Sequence, residues 1–106
     1  MIELKLDPRD FRVIDAWTFN YKGYAEDTII VEVAPGYFCD LYISEDEQGP
    51  YALPAGCSDG VGYIYTDDYG RNDGTAAIVS DEDMWSVEEF AEDYYAKHPE
   101  KFDPAE

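Results

Sequence analysis

The sequence predicts a single α+β domain spanning residues 1–106, in which an antiparallel sheet of four or five strands carries a C-terminal amphipathic helix on one face. Three observations support this prediction. Apolar residues make up 45% and aromatic residues 16% of the chain, which is enough to form a core. A run of strand formers turns back at Pro35-Gly36. A segment near the C-terminus places apolar residues at helical spacing.

The first 23 residues contain one clear signal and one ambiguous segment. Residues 2–6 alternate apolar and charged side chains, which predicts a short strand. Asp7 and Pro8 are typical of the N-cap and first position of a helical turn. Residues 8–21 fit two structures equally well: a helix that ends near Gly23, or a short helical turn followed by a strand.

Two hairpins are predicted in the middle of the chain. Residues 28–33 and 37–43 form the first, and residues 45–50 read as a polar loop after it. The glycine-containing segment 54–62 is expected to be irregular. Strands at 61–66 and 75–79 should pair as the second hairpin, joined by a turn-rich segment.

The last element is predicted to be a helix that begins with a capping box at Ser86 and Glu89. His98-Pro99 should end it, because the residue before a proline disfavours helical backbone. Its apolar stripe is formed by Val87, Phe90, Ala91, Tyr94 and Tyr95.

The charge of the chain is its most unusual property. It has 25 acidic and 7 basic residues, a formal net charge of −18. A net charge of magnitude about 2–8 is ample for the solubility of a small domain. A larger excess repels itself and destabilises the compact state, so a function other than folding is expected to maintain it. Direct binding of nucleic acid is excluded, because phosphate contacts need a basic patch. The expected partner is a basic protein, with a nucleic-acid-binding protein the leading candidate.

The acidic residues recur along the chain and supply the candidate binding site. Residues 23–70 contain ten acidic residues and no Lys or Arg, and residues 81–93 contain seven acidic residues and no basic one. The predicted partner-binding residues are Glu45, Asp46, Glu47, Asp67, Asp68, Asp81, Glu82, Asp83, Glu88, Glu89, Glu92 and Asp93. The helical ones among them, Glu88, Glu89, Glu92 and Asp93, are expected on the face opposite the apolar stripe.

Three explanations of the charge compete. The acidic residues can imitate a nucleic acid and occupy the basic site of a nucleic-acid-binding or host-defence protein. They can neutralise one basic toxin, as an immunity protein or antitoxin does. They can also be an adaptation to high salt, but halophilic chains tend to lose large apolar residues, whereas this chain keeps ten Tyr and five Phe. Tyr and Trp are enriched at interfaces, which favours a binding function.

No catalytic residue, cofactor or metal ligand is predicted, so the chain is not expected to be an enzyme. His98 is the only histidine, no His/Cys cluster has zinc spacing, and the glycines of 56–62 precede a strand rather than a helix. A calcium-binding module is kept as an alternative, because one glycine-containing loop carries several oxygen ligands without the EF-hand order. Those residues are Asp67, Asp68, Asn72 and Asp73.

The chain is expected to be cytoplasmic and to have no membrane partner. Its first residues lack the apolar region of a signal peptide, and no stretch approaches the roughly 18 apolar residues of a membrane span. Cys39 and Cys57 have no paired spacing, so they are expected to be reduced thiols. A disulfide between them remains an alternative.

In charge and length, over the whole chain, the sequence resembles the acidic inhibitors of phages and mobile elements, which mimic DNA and block host-defence nucleases. In the same respects it resembles acidic bacterial immunity proteins. This resemblance implies inhibition by binding and assigns no role to individual residues.

Overall fold

The computed structural model describes residues 2–54, 64–65 and 77–102. None of the helices in these ranges is long and apolar enough to span a membrane. The strands and helix are β1 (Ile2–Glu3), β2 (Arg12–Tyr21), β3 (Tyr24–Ala34), β4 (Tyr37–Asp46), β5 (Gly49–Pro54), β6 (Ile64–Tyr65), β7 (Ala77–Ile78) and α1 (Asp81–Lys97). Short 3₁₀ turns lie at Pro8–Asp10 and Pro99–Lys101.

The long strands β2, β3, β4 and β5 form an antiparallel sheet in chain order. Strands β5 and β6 lie on the same side of β4. Strand β6 pairs with the first part of β4, and β5 pairs with the second part. Strand β7 pairs antiparallel with β6, and β1 adds the parallel pair at the end. The predicted α+β fold, an antiparallel sheet with a C-terminal helix packed against it, is confirmed.

The ambiguous segment 8–21 is a short helical turn followed by a strand. The Asp7 carboxylate accepts a hydrogen bond from the backbone N–H of Arg9 at 3.0 Å, as an N-cap does. Pairing with β3 then fixes residues 12–21 as strand. Lys22 and Gly23 both have positive φ (51° and 84°), so Gly23 belongs to a tight hairpin turn and does not end a helix.

The predicted loop at 45–50 is wrong. Glu45 and Asp46 continue β4 and pair with the first residues of β5, which leaves only Glu47 and Gln48 in the turn. The Asp46 carboxylate accepts a hydrogen bond from the N–H of Gln48 at 2.8 Å, and Gly49 takes a φ of 115°. A side-chain hydrogen bond and one glycine therefore make a hairpin from a segment whose composition is typical of a loop.

The second predicted hairpin is confirmed where the structure describes it, because Ile64 pairs antiparallel with Ala77. The turn-rich segment between these strands lies outside the described residues. So does the predicted irregular segment 54–62, apart from Pro54, which ends β5.

The predicted capping box at Ser86 and Glu89 is wrong. The helix begins five residues earlier, at Asp81, and its N-cap is Ser80, whose hydroxyl accepts from the N–H of Asp83 at 3.1 Å. Both positions carry a cap-compatible sequence, but acidic residues in the first turn complement the positive end of the helix dipole and extend the helix upstream. Ser86 lies inside the helix and donates to the Glu82 carbonyl at 3.3 Å.

The predicted C-terminal end of the helix is confirmed. His98 is the C-cap, its N–H donates to the Tyr94 carbonyl at 3.0 Å, and Pro99 follows.

The apolar stripe of α1 packs on the sheet as predicted. Val87 and Ala91 are fully buried, and Phe90 meets Phe11 edge to face with ring centroids 5.5 Å apart. Cys39 lies in the same core as a free thiol, whereas Cys57 is outside the described residues. The sheet contributes Ile29, Val31, Val33, Leu41 and Ala52 to this core.

We expect Ile29→Ala to lower the free energy of unfolding by about 2–5 kcal/mol, because the side chain is fully buried between β3 and α1. Ile14→Ala is the matched control, since Ile14 is 37% exposed at a register shift in β2, and its loss should be below about 1 kcal/mol. Urea unfolding followed by circular dichroism measures both. Equal losses would contradict the placement of the core.

Candidate binding surface

The exposed side of α1 is a continuous acidic stripe with a tryptophan at its centre. Asp81, Glu82, Trp85, Glu89 and Asp93 are all exposed and follow one another at helical spacing, so they share one side of the helix. We call these five residues the outward face. Trp85 is 61% exposed, although a Trp side chain is normally at least partly buried. The predicted position of acidic residues opposite the apolar stripe is therefore correct for two of four, Glu89 and Asp93.

The average number of carboxylates per length of this helix is of the same order as the number of phosphates per length of a nucleic acid strand. Residues 81 to 93 span about 18 Å of helix axis. Their seven acidic residues give one per about 2.6 Å, and the four on the outward face give one per about 4.5 Å. One DNA strand carries a phosphate per about 3.4 Å. A charge spacing of this order is thus presented on one rigid element.

Two predicted partner-binding residues on α1 have carboxylates that accept backbone hydrogen bonds. An Asp83 oxygen accepts from the N–H of Leu6 at 3.0 Å, which ties the N-terminal segment to the start of α1. A Glu92 oxygen accepts from the N–H of Ala52 at 3.0 Å and thereby covers part of the free edge of β5. Both carboxylates replace backbone acceptors that the sheet does not supply.

Glu88 lies between the outward face and the core. It is half-buried on the flank of α1 next to Glu92, four residues further along. Burial, and secondarily the negative charge of Glu92, raises the pKa of the Glu88 carboxyl. Glu88 is therefore a destabilising charge at neutral pH and is less accessible to a partner than Glu89.

The end of the β4–β5 hairpin carries the second described part of the predicted site. Glu45 and Asp46 at the end of β4 and Glu47 in the turn are exposed. Glu45 and Tyr95 line one groove, so this end of the hairpin lies beside the C-terminal half of α1. Asp46 also shapes the turn through its bond to Gln48. The predicted residues Asp67 and Asp68 lie outside the described residues.

A groove of about 660 Å³ lies between the end of the β4–β5 hairpin, the start of β3 and the end of α1. The sequence did not predict this groove. Its central polar residue is Asp27, which accepts hydrogen bonds from the Thr18 hydroxyl at 2.7 Å and the Tyr95 hydroxyl at 2.8 Å. The bond to Asp27 raises the pKa of Tyr95 to about 12. The two-residue period of a strand could have indicated the position of Asp27, because Asp27 falls on the same side of β3 as Ile29 and Val31.

Aromatic side chains also lie on the sheet face opposite α1. Trp17, Phe19 and Tyr42 line a smaller hollow of about 280 Å³ there, together with Glu26 and Asp40. Phe19 is 46% exposed. Part of the aromatic content of the chain therefore covers this second face and is not in the core beneath α1.

Cys39 and His98 are described residues whose side chains could take part in catalysis, and each lies in a structural position. Burial raises the pKa of the Cys39 thiol, which keeps it protonated and a poor nucleophile. His98 lies at the end of α1, with its ring 4.3 Å from that of Tyr94 and Nδ1 3.2 Å from a Glu100 oxygen. Residues 2–54, 64–65 and 77–102 contain no group of three or more His, Cys, Asp or Glu side chains placed to hold a metal ion. The loop with Asp67, Asp68, Asn72 and Asp73, the calcium alternative, lies outside these ranges.

Comparisons with protein-family models, with curated proteins and with solved structures found no match to this chain.

We expect Glu92→Ala and Glu89→Ala to differ in stability although both exchange Glu for Ala on one helix. Glu92→Ala removes the acceptor of the Ala52 N–H and should cost about 1–3 kcal/mol. Glu89→Ala removes an exposed charge among like charges and should change stability by no more than about 0.5 kcal/mol. Urea unfolding at pH 7 gives both values. Equal stabilities would show that the Glu92 bond contributes nothing.

We expect Glu88→Gln to stabilise the protein at pH 7 and not at pH 3. Because the pKa of Glu88 is raised in the folded state, the folded state binds a proton at this carboxyl more readily than the unfolded state does. The contribution of Glu88 to stability therefore falls as the pH rises from the ordinary pKa of 4.5 through the folded-state pKa. The glutamine variant has no such loss. Thermal unfolding of both proteins across pH 3–8 measures the difference.

Glu89→Gln is the control for this pH series, because it removes the same formal charge from the exposed side of α1. Its stability gain should be smaller than that of Glu88→Gln at pH 7. A gain from Glu88→Gln that persisted unchanged at pH 3 would contradict the assignment to ionisation of Glu88.

Proposed function

We propose that this chain is an acidic inhibitor that binds the basic nucleic-acid site of another protein and occludes it. It acts as a nucleic-acid mimic in the cytoplasm, by binding alone, without catalysis or a cofactor. The partner is a basic, nucleic-acid-binding protein, of which a host-defence nuclease is one kind.

The observation that carries this proposal is the outward face of α1. It presents four carboxylates on a rigid helix at an average linear density of the order of that in a nucleic acid strand. None of the four accepts a backbone hydrogen bond from the described residues, whereas Asp83 and Glu92 do. Its one ion pair, Asp93 with Lys97 at 3.0 Å, is exposed and therefore weak. A basic groove can displace it at little cost.

The whole chain adds a long-range field to this local pattern. The net charge of −18 over a longest dimension of 42 Å is one negative charge per about 2.3 Å, against one per about 1.7 Å for duplex DNA. Such a field steers a basic partner toward the chain and speeds association at low salt.

Trp85 favours a second candidate function, an immunity or antitoxin protein that neutralises one basic toxin. An exposed Trp amid acidic residues suits the centre of a specific protein interface, where it packs into a pocket or stacks on an Arg guanidinium. Affinity that depends on such an anchor survives moderate salt. Affinity that depends on charge imitation falls steeply as salt rises.

We expect Glu82→Gln with Glu89→Gln to weaken partner capture at least tenfold, while the free energy of unfolding falls by no more than about 1 kcal/mol, the contribution of Glu82 to the helix-dipole interaction. The double variant removes two charges from the outward face, where they have no structural contact. Asp10→Asn with Glu26→Gln removes two charges elsewhere and should leave capture nearly unchanged. The immobilised proteins are incubated with a lysate of the source cells at low and elevated salt, and bound proteins are identified by mass spectrometry.

Captured basic proteins that wash off with salt and are displaced by added DNA support mimicry. One basic protein that resists salt but is lost on Trp85→Ala supports the immunity alternative. Equal losses for the two double variants would show that only total charge matters, and capture of background proteins alone would overturn both candidates.

A further inference from the structure

We propose that the groove at the C-terminal end of α1 binds the side chain of a Lys or Arg residue of the basic partner. This inference rests on the proposed function and adds to it a defined anchor point away from the outward face. The groove is bounded by the start of β3, the β4–β5 turn and the turn that follows α1.

Asp27 holds its negative charge in the groove without a cationic hydrogen-bond donor among the described residues. Both of its hydrogen-bond donors, the Thr18 hydroxyl from β2 and the Tyr95 hydroxyl from α1, are neutral groups. They fix the position of the carboxylate without cancelling its charge. Each oxygen keeps further acceptor capacity for a cationic donor.

A second carboxylate, that of Glu45, faces the same groove. Glu45 lines the same groove from β4, on the strand face that also carries Ile43, and it acts electrostatically on Tyr95. No Lys, Arg or His is among the described residues that line the groove. Two negative charges therefore face one space without a positive charge in its described lining, and a cation is the complementary occupant.

Part of the groove lining is apolar. Ile43, Pro50, Pro99 and Phe102 form walls around the two carboxylates, and the Phe102 ring lies 4.8 Å from that of Tyr95. A Lys or Arg side chain has the matching form, with an apolar stem and a charged tip. The volume of about 660 Å³ leaves room for one such side chain.

The same lining disfavours a metal ion as the occupant. A hard divalent cation such as Ca²⁺ takes six to eight oxygen ligands, usually with several carboxylates. The described lining offers only two carboxylates, and one of them already holds two hydroxyl donors. An organic cation needs fewer oxygen contacts and gains from the apolar walls.

The test is an NMR titration of the ¹⁵N-labelled full chain with N-acetyl-lysine methylamide. The neutral analogue N-acetyl-norleucine methylamide has a similar apolar stem, and calcium chloride is the metal arm. We expect saturable shifts at the amides of residues 27, 43–45 and 95 with the lysine derivative. The norleucine derivative and calcium should produce no saturable shift there.

Glu45→Gln should weaken binding of the lysine derivative about three- to fivefold, as expected for the loss of one partly exposed charge pair. Glu47→Gln is the matched control, because it removes the same charge two residues away, in the turn and outside the described lining of the groove. Asp27→Asn should abolish saturation, and its melting temperature shows whether the variant remains folded.

Equal affinity for norleucine, saturation by calcium at lower concentration than lysine, or equal effects of Glu45→Gln and Glu47→Gln would each overturn the inference. The titration needs no partner, so its result is separate from that of the capture experiment. Captured partners without a lysine signal overturn the groove alone, whereas a lysine signal without captured partners overturns the proposed function alone.

Discussion

The burial of Val87 and Ala91 against the sheet is the constraint on which the rest of the surface depends. It fixes the rotation of α1 about its axis, and a helix turns by 100° per residue, so it also fixes the direction of every acidic side chain on that helix. Glu89 points to solvent because Val87 and Ala91 do not. A rotation by one residue would bring Glu88 into the core, where an unpaired carboxylate would be far more costly than the exposed charge it replaced.

Hydrogen bonds from backbone N–H groups help to explain how a chain with a net charge of −18 folds despite its own repulsion. Several carboxylates accept backbone N–H groups that lack another partner. Asp7 caps a helical turn, Asp46 closes a hairpin, Asp83 holds the N-terminal segment and Glu92 covers the edge of β5. Each of these bonds places a negative charge against the positive end of a peptide dipole, so part of the excess charge stabilises the fold.

The acids of the outward face and Asp27 have different environments. The carboxylates of the outward face lie in open solvent. Asp27 is partly enclosed, held by two hydroxyl groups and placed beside apolar walls. The first arrangement suits attraction of any basic surface, and the second suits recognition of one side chain. In the proposed function, the first arrangement would supply long-range steering and the second would supply local specificity.

The sequence by itself determined the fold class, the hairpin at Pro35-Gly36, the apolar stripe of α1 and its end at His98. These features follow from local turn chemistry and from the two-residue period of strands and the 3.6-residue period of helices. Both kinds of signal lie in residues that are close together in the sequence. It did not separate the candidate site into structural and exposed acids, since Glu92 and Glu89 are chemically the same residue on one helix. Only the tertiary structure decided that Glu92 meets the N–H of Ala52 and that Asp27 meets Tyr95, 68 residues away. Contacts over such separations depend on how α1 docks across the sheet, and no local pattern encodes that docking.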